Sequence, residues 1–283
     1  MSIFFHKIMW SMRRILVGKM ISSSALVLEV GSGGNPYPRS NVLLDAYKET
    51  RERHWEPLVS DRPTVLSFGE NLPFKDKVFD YVIAAHVLEH SPHPEKFLSE
   101  LQRVAKAGYI ETPDAFMERI NPYKDHRLEV TVRDDQLIIQ KKSNWINDND
   151  LVDLYEKRVK KIITTETIPQ HAEEFHMRYF WHDEIKFTVI NPDVDATWEP
   201  LISNVKSAPV HKLSIKGKIR KTWLAMIQSI FSQKSRNLKI DIIPLLRCPS
   251  CFHEEMMEIS GDEIKCHGCN KIFDFKNSLY SIH

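Results

Sequence analysis

Residues 26–36 read LVLEVGSGGNP, and the reading of this stretch decides the fold. Leu26, Val27, Leu28 and Val30 form an apolar run, interrupted only by Glu29, that stops at Gly31. Such a run predicts a strand buried on both faces, as in a parallel sheet. The glycines at 31, 33 and 34 permit positive φ and let a ligand approach the backbone closely. Working outward, residues 41–45 (NVLLD) form a second strand that ends in the carboxylate of Asp45. Residues 64–68 (TVLSF) form a third, 79–86 (FDYVIAAH) the longest, and 109–113 (YIETP) a fifth. Between the last two, Phe97, Leu98, Leu101, Val104 and Ala105 share one helical face, with Pro94 near the first turn. Strands alternating with helical patterns predict an α/β fold with a mostly parallel central sheet and helices on both faces.

The segments VLEVGSGGNP and LPFKDKVFDYVIAAHVLEHSPHPEKFLSELQRVAK resemble the first motif and the central segment of class I S-adenosylmethionine-dependent methyltransferases. The resemblance covers roughly residues 24–113 and implies a Rossmann-like methyltransferase fold that binds S-adenosylmethionine. By that resemblance Glu29, Gly31, Ser32 and Gly33 hold the amino-acid end of the cofactor, and Asp45 its ribose. Many relatives carry an acid at the end of the third strand to contact the adenine amine. Here Phe68 stands there, followed by Gly69 and Glu70, which leaves adenine to backbone groups and Phe68 stacking. The dinucleotide fingerprint GxGxxG is not met, because Pro36 occupies its third glycine. Pro36 and Pro38 also leave little room for the usual first helix before Asp45.

In α/β sheets the chemistry lies at the carboxyl ends of the strands. The fourth strand ends in Ala85-His86-Val87-Leu88-Glu89-His90, without the Asn/Asp-Pro-Pro-Tyr grip for planar amines. His86 is expected to line the cofactor pocket and to serve as a general base, since imidazole titrates near neutrality. Glu89 and His90 are expected to support the loop that follows. After the fifth strand, Glu111, Thr112, Pro113 and Asp114 fall on the acceptor side. Two polar clusters could reach the acceptor: Asp125-His126-Arg127, with His126 as a second catalytic candidate, and residues 173–179 (EEFHMRY). Histidine beside arginine suits a sugar, phosphate or carboxylate.

Cys248 and Cys251, then Cys266 and Cys269, form two CxxC knuckles fourteen residues apart. Two knuckles close a tetrahedron of thiolates, which predicts a structural Zn(II) site with Ile264, Ile272, Phe273 and Phe275 on short hairpins. This module resembles the small zinc-ribbon proteins that activate tRNA, rRNA and protein methyltransferases, here fused in cis.

The 283 residues carry a formal net charge of +1, so total charge does not mark a nucleic-acid binder. Between Glu199 and Asp241, however, the chain has nine Lys or Arg and no acid. Within it Ile219, Trp223, Met226, Ile227 and Ile230 fall on one helical stripe, suited to docking on the protein itself, an anionic membrane surface or RNA phosphates. Four zones result: an apolar-basic arm (1–22), the methyltransferase domain (23–200), a basic amphipathic connector (201–240) and the zinc ribbon (241–283). No run reaches the roughly 20 apolar residues of a spanning helix, and the paired cysteines suit a reducing compartment, so a cytoplasmic, peripherally membrane-associated enzyme is expected. The leading function is O-methylation of a small-molecule or glycan-linked acceptor. RNA methylation and a non-catalytic scaffold are the alternatives.

Overall fold

The structure is a computed structural model that describes residues 3–50, 52–53, 55–199, 222–223, 226–227, 229–260, 263–276 and 279–282. Strands β1 (Val27–Val30), β2 (Val42–Asp45), β3 (Thr64–Leu66), β4 (Phe79–Ala85) and β5 (Ala105–Pro113) lie parallel in the order β3-β2-β1-β4-β5. Every residue of β1, β2 and β3 is buried, as the apolar runs require of strands covered on both sides. Residues of alternate parity face opposite layers. Leu28, Val30, Val82 and Ile110 pack in the large core with Phe97, Leu98, Leu101 and Val104 of α2 (Pro94–Val104). Val27, Ile83 and Tyr109 face Val17 and Ile21 at the end of the arm. The arm is itself a helix, α1 (Ile3–Lys19). The fifth strand starts earlier than the apolar run suggested: Ala105 caps α2 and already belongs to β5.

Residues 34–41 contain no helix, in keeping with Pro36 and Pro38. Instead Glu29, 3% exposed on β1, anchors this loop through one oxygen, which accepts from Tyr37 N (2.8 Å) and Ser40 Oγ (2.6 Å). Burial pushes its carboxyl up to about 7, against those hydrogen bonds and the Arg14 and Arg62 charges.

Beyond β5 the chain adds α3 (Ala115–Ile120) and a hairpin of β6 (Leu128–Arg133) and β7 (Gln136–Lys141), turned by Asp134 and Asp135 in left-handed conformations. β9 (Phe187–Val189) joins β7 to complete a second, three-stranded sheet. Between the two, residues 149–170 are helical with π turns at Tyr155–Val159 and Ile163–Thr167. β8 (His176–His182) lies antiparallel to β5, so only residues 176–179 of the 173–179 cluster belong to the edge strand its alternation suggested, while Ala172–Glu174 form a one-turn helix.

The cysteine tail is continuous with the main sheet. β10 (Met256–Ser260), β11 (Glu263–Cys266) and β12 (Ile272–Lys276) are antiparallel, and β13 (Leu279–Ser281) then pairs parallel with β3. Ile242, Leu246 and Ile282 are fully buried in the same core as Leu72 and Phe74. Upstream, Arg236 donates to the carbonyls of Ser23 and Ser24 (2.8 and 2.7 Å), and Asn237 Oδ1 accepts from Asn41 Nδ2 (2.7 Å). Much of the basic connector, Ile219 included, lies outside the described residues. Of its stripe, Trp223, Met226 and Ile230 are at least half exposed.

Ending the chain at residue 240 should therefore weaken the parallel sheet too. Burying each of Ile242, Leu246 and Ile282 contributes roughly 1.5–3 kcal/mol, so the thermal midpoint is expected to fall by about 10 °C or more. An unchanged midpoint would show that the tail packs on the sheet without supporting it. Glu29 provides a second check. Its folded pKa, about 7, lies above the ordinary 4.5, so this contribution is complete below pH 4.5 and is lost as pH rises through 7. The neutral Glu29→Gln variant should show a flatter fall in thermal midpoint between those values than the parent.

Candidate active site

The glycine loop is tied to the neighbouring strand: Gly31 N and Ser32 N both donate to Leu44 O, at 2.8 and 3.1 Å. Gly31 has φ +73° and Gly33 φ +57°, and a Cβ at Gly31 would lie 2.6 Å from that of Val87. Both the dihedral and the space therefore demand glycine at 31. Asp45, 7% exposed at the end of β2, accepts from Gly33 N (2.9 Å) through one oxygen. Its other oxygen accepts from Tyr47 N and from Arg53 Nη1, each at 3.1 Å. Arg53 also donates to the carbonyls of Tyr47, Lys48 and Glu56. Gly33, Gly34 and Asp45 together make a cradle of backbone groups and one carboxylate that fits an amino-acid and ribose ligand. Arg53 closes its rim, since its Cδ would stand 3.3 Å from a Cβ at Gly33.

The three residues after β3 diverge in role. Phe68 is 44% exposed and meets Tyr47 edge-on at 5.7 Å, beside Asp45. Gly69 is a packing glycine: a Cβ there would lie 2.3 Å from the Phe97 ring. Glu70 accepts from Ser91 Oγ and steadies the turn after β4.

At the end of β4, His86 adopts a left-handed φ of +56° and donates its backbone N–H to Glu111 O at 2.7 Å. That bend places the ring between two carboxylates, with Nδ1 3.5 Å from Glu89 Oε1 and Nε2 3.5 Å from Glu111 Oε1. Burial disfavours the imidazolium, but Glu111 and Glu89 outweigh it and lift His86 to about 9. Burial would likewise raise Glu89, yet His86, His126 and His90 hold it at about 2. Glu111 is also held well below the usual range against burial by His86, by the Tyr109 hydroxyl and by Arg13. The two carboxylates thus favour the charged form of His86 at neutral pH. His176 stands 5.6 Å from it, ring to ring, and is lowered to about 4 by burial and by that neighbouring charge. It lines a cavity of about 630 Å³ with Asp114, Phe116, Thr131, Glu173 and Arg178.

His126 also lies close to Glu89. It is 6% exposed, its Nδ1 is 2.7 Å from Glu118 Oε2, and its ring stacks on Tyr123. Glu118 is further paired with Lys142 Nζ at 2.7 Å. The turn after β4 thus carries Glu89 and His90 alongside these groups, and their carbonyls accept from Arg127. Arg53, Glu118 and Lys142 carry no motif in the sequence; only the fold brings them to Asp45 and His126. The signal for the β6–β7 hairpin that supports the cavity was present, as apolar alternation flanking Asp134 and Asp135.

In the tail, Cys248 and Cys269 Sγ are 3.7 Å apart, and Cys251 and Cys266 Sγ 3.5 Å apart. All four sulfurs fall within 4.8 Å of one another. Zinc–sulfur bonds of about 2.3 Å in a tetrahedron put sulfurs about 3.8 Å apart, so this donor set fits such an ion.

Residues 28–110 match a methyltransferase-domain family. An uncharacterized protein of Methanocaldococcus jannaschii is 29% identical over 110 residues, which cover 37% of this chain and 49% of that protein. The match thus spans about half the length of that relative. A methyltransferase of Thermotoga maritima is 18% identical with a TM-score of 0.30, over 39% of this chain and 55% of that one. A protein of Pyrococcus horikoshii is 17% identical with a TM-score of 0.32, over 54% and 80%. Residues 28–110, which carry the glycine loop and the strand-end carboxylate, are thus similar to a methyltransferase domain.

Proposed function

We propose that the protein transfers a methyl group from S-adenosylmethionine to an oxygen of a small-molecule or glycan-linked acceptor held in the cavity beside β5. The observation that carries this reading is the juxtaposition at one sheet edge: the glycine loop and Asp45 on one side of His86, the cavity with His176 and Arg178 on the other. When bound, the cofactor supplies a methyl group activated on a sulfonium. Residues 31–33 would hold its amino-acid end. Asp45 would accept from its ribose hydroxyls in competition with Arg53, and Phe68 with Tyr47 offers an aromatic surface for the adenine.

On the acceptor side, Arg178 suits a phosphate or carboxylate group. His176, uncharged at neutral pH and on the cavity wall, takes the role of proton acceptor better than His86, which is already protonated between Glu89 and Glu111. His86 then acts as a fixed positive charge at the end of β4. The four cysteines would hold Zn(II) as a closed structural site, which links metal to the sheet through β13. The exposed Trp223, Met226 and Ile230 support a peripheral contact with an anionic membrane that brings the enzyme to a lipid-linked acceptor. No helix among the described residues is long and apolar enough to cross a membrane.

Calorimetric titration with S-adenosylhomocysteine tests the cofactor site. Micromolar binding is expected, weakened about tenfold or more by Asp45→Ala and preserved or tightened by Arg53→Ala, which frees the carboxylate. Absence of binding in folded protein would move the scaffold reading ahead. For the tail, elemental analysis should find stoichiometric zinc that Cys248→Ser and Cys266→Ser reduce, with a lower thermal midpoint in both; metal-free protein of unchanged midpoint would refute the zinc assignment.

A further inference from the structure

We propose that Glu89, His90 and His126 form a second metal site, for a divalent first-row transition-metal ion, distinct from the four cysteines. One ligand atom from each of the three lies within 4.8 Å of the other two. Glu89 is 2% exposed, and neither of its oxygens receives a hydrogen bond among the described residues; His86 Nδ1 stands 3.5 Å from Oε1. Buried carboxylates in folded proteins are almost always hydrogen-bonded, and the His86 charge at 3.5 Å leaves both Glu89 oxygens without such a bond, so their capacity points to a further ligand of the carboxylate.

Both imidazoles are already prepared as ligands. His126 Nδ1 is 2.7 Å from Glu118 Oε2, and His90 Nδ1 is 3.1 Å from the Asp125 carbonyl oxygen. An N–H donated to each of these acceptors leaves the Nε2 lone pair free, the arrangement by which outer carboxylates and carbonyls orient metal-bound histidines. The backbone fixes the set, because Glu89 and His90 share the one-turn helix Leu88–His90 and Arg127 N donates to Glu89 O at 2.7 Å. Two imidazoles and one carboxylate favour zinc, iron, cobalt or manganese over magnesium or calcium, which prefer oxygen ligands.

A neighbouring trio, His86, Glu111 and His176, is less suited. Glu111 Oε2 already accepts from the Tyr109 and Tyr37 hydroxyls, and Arg13 Nε stands 3.8 Å from Oε1. His90 is the most exposed of the three, with 20% of its side chain accessible. The binding of an ion there does not depend on the methyl-transfer reading above.

The test is titration of the zinc-loaded full chain with Co(II), followed by calorimetry and visible absorption. One further equivalent is expected, with d–d bands and none of the intense thiolate charge-transfer absorption of a cysteine site. Glu89→Gln should weaken it at least tenfold, and Glu118→Gln, which leaves all three ligands in place, about 10–100-fold. Circular dichroism and thermal midpoints establish that each variant is folded. No further Co(II) in folded parent protein, or an equivalent that survives both substitutions, would overturn the site. S-adenosylhomocysteine titration of the same samples separates the two ideas. Cofactor binding without Co(II) overturns the metal site alone, and Co(II) binding without cofactor overturns the methyl-transfer reading alone.

Discussion

A buried carboxylate must be met by a donor or a cation, or it stays protonated, and the carboxyl edge of this sheet gathers five of them: Glu29, Asp45, Glu89, Glu111 and Glu118. Parallel strands end on the same side, so the acids that close β2 and β5 and follow β4 cannot avoid one another. Each is answered differently. Asp45 receives two backbone amides and Arg53, whereas Glu111 receives two tyrosine hydroxyls and the His86 imidazolium. Glu118 is divided between His126 and Lys142, and Glu29 rests on the loop it anchors. Glu89 alone in this group depends on ring nitrogens that approach without a hydrogen bond.

This requirement explains the bend at His86. A histidine at φ +56° is uncommon, and its strain of order 1–3 kcal/mol is tolerated where the surroundings over-determine it. The backbone bond to Glu111 O and the two flanking carboxylates do so here. The same bend brings Val87 against Gly31, so the glycine loop and the end of β4 are shaped together.

The cysteine tail is coupled to this edge at a distance. Through β13 it closes the open side of β3, one strand from β2 and Asp45, and its apolar residues join the core that α2 packs against. A strand that would otherwise present unpaired amides and carbonyls is thereby covered. Order in the cysteine module and order at the β3 edge are then linked through backbone pairing.

The sequence by itself determined the parallel sheet, because runs such as VLEV and VLLD have no solvated face, and it determined the glycine loop and the two cysteine knuckles, whose spacing is local. It also marked Asp45 and His86, which stand at strand ends. Tertiary structure decided what those residues touch. That Asp45 faces Arg53, that His86 is held cationic by Glu89 and Glu111, and that His126 meets Glu118 depend on loops whose side chains carry no periodic pattern. The pairing of β13 with β3 is likewise a contact between residues some two hundred positions apart, set by which edge was left open when the other strands had paired. Local chemistry writes elements into a chain; the charge each buried group carries is fixed only by the neighbours that folding supplies.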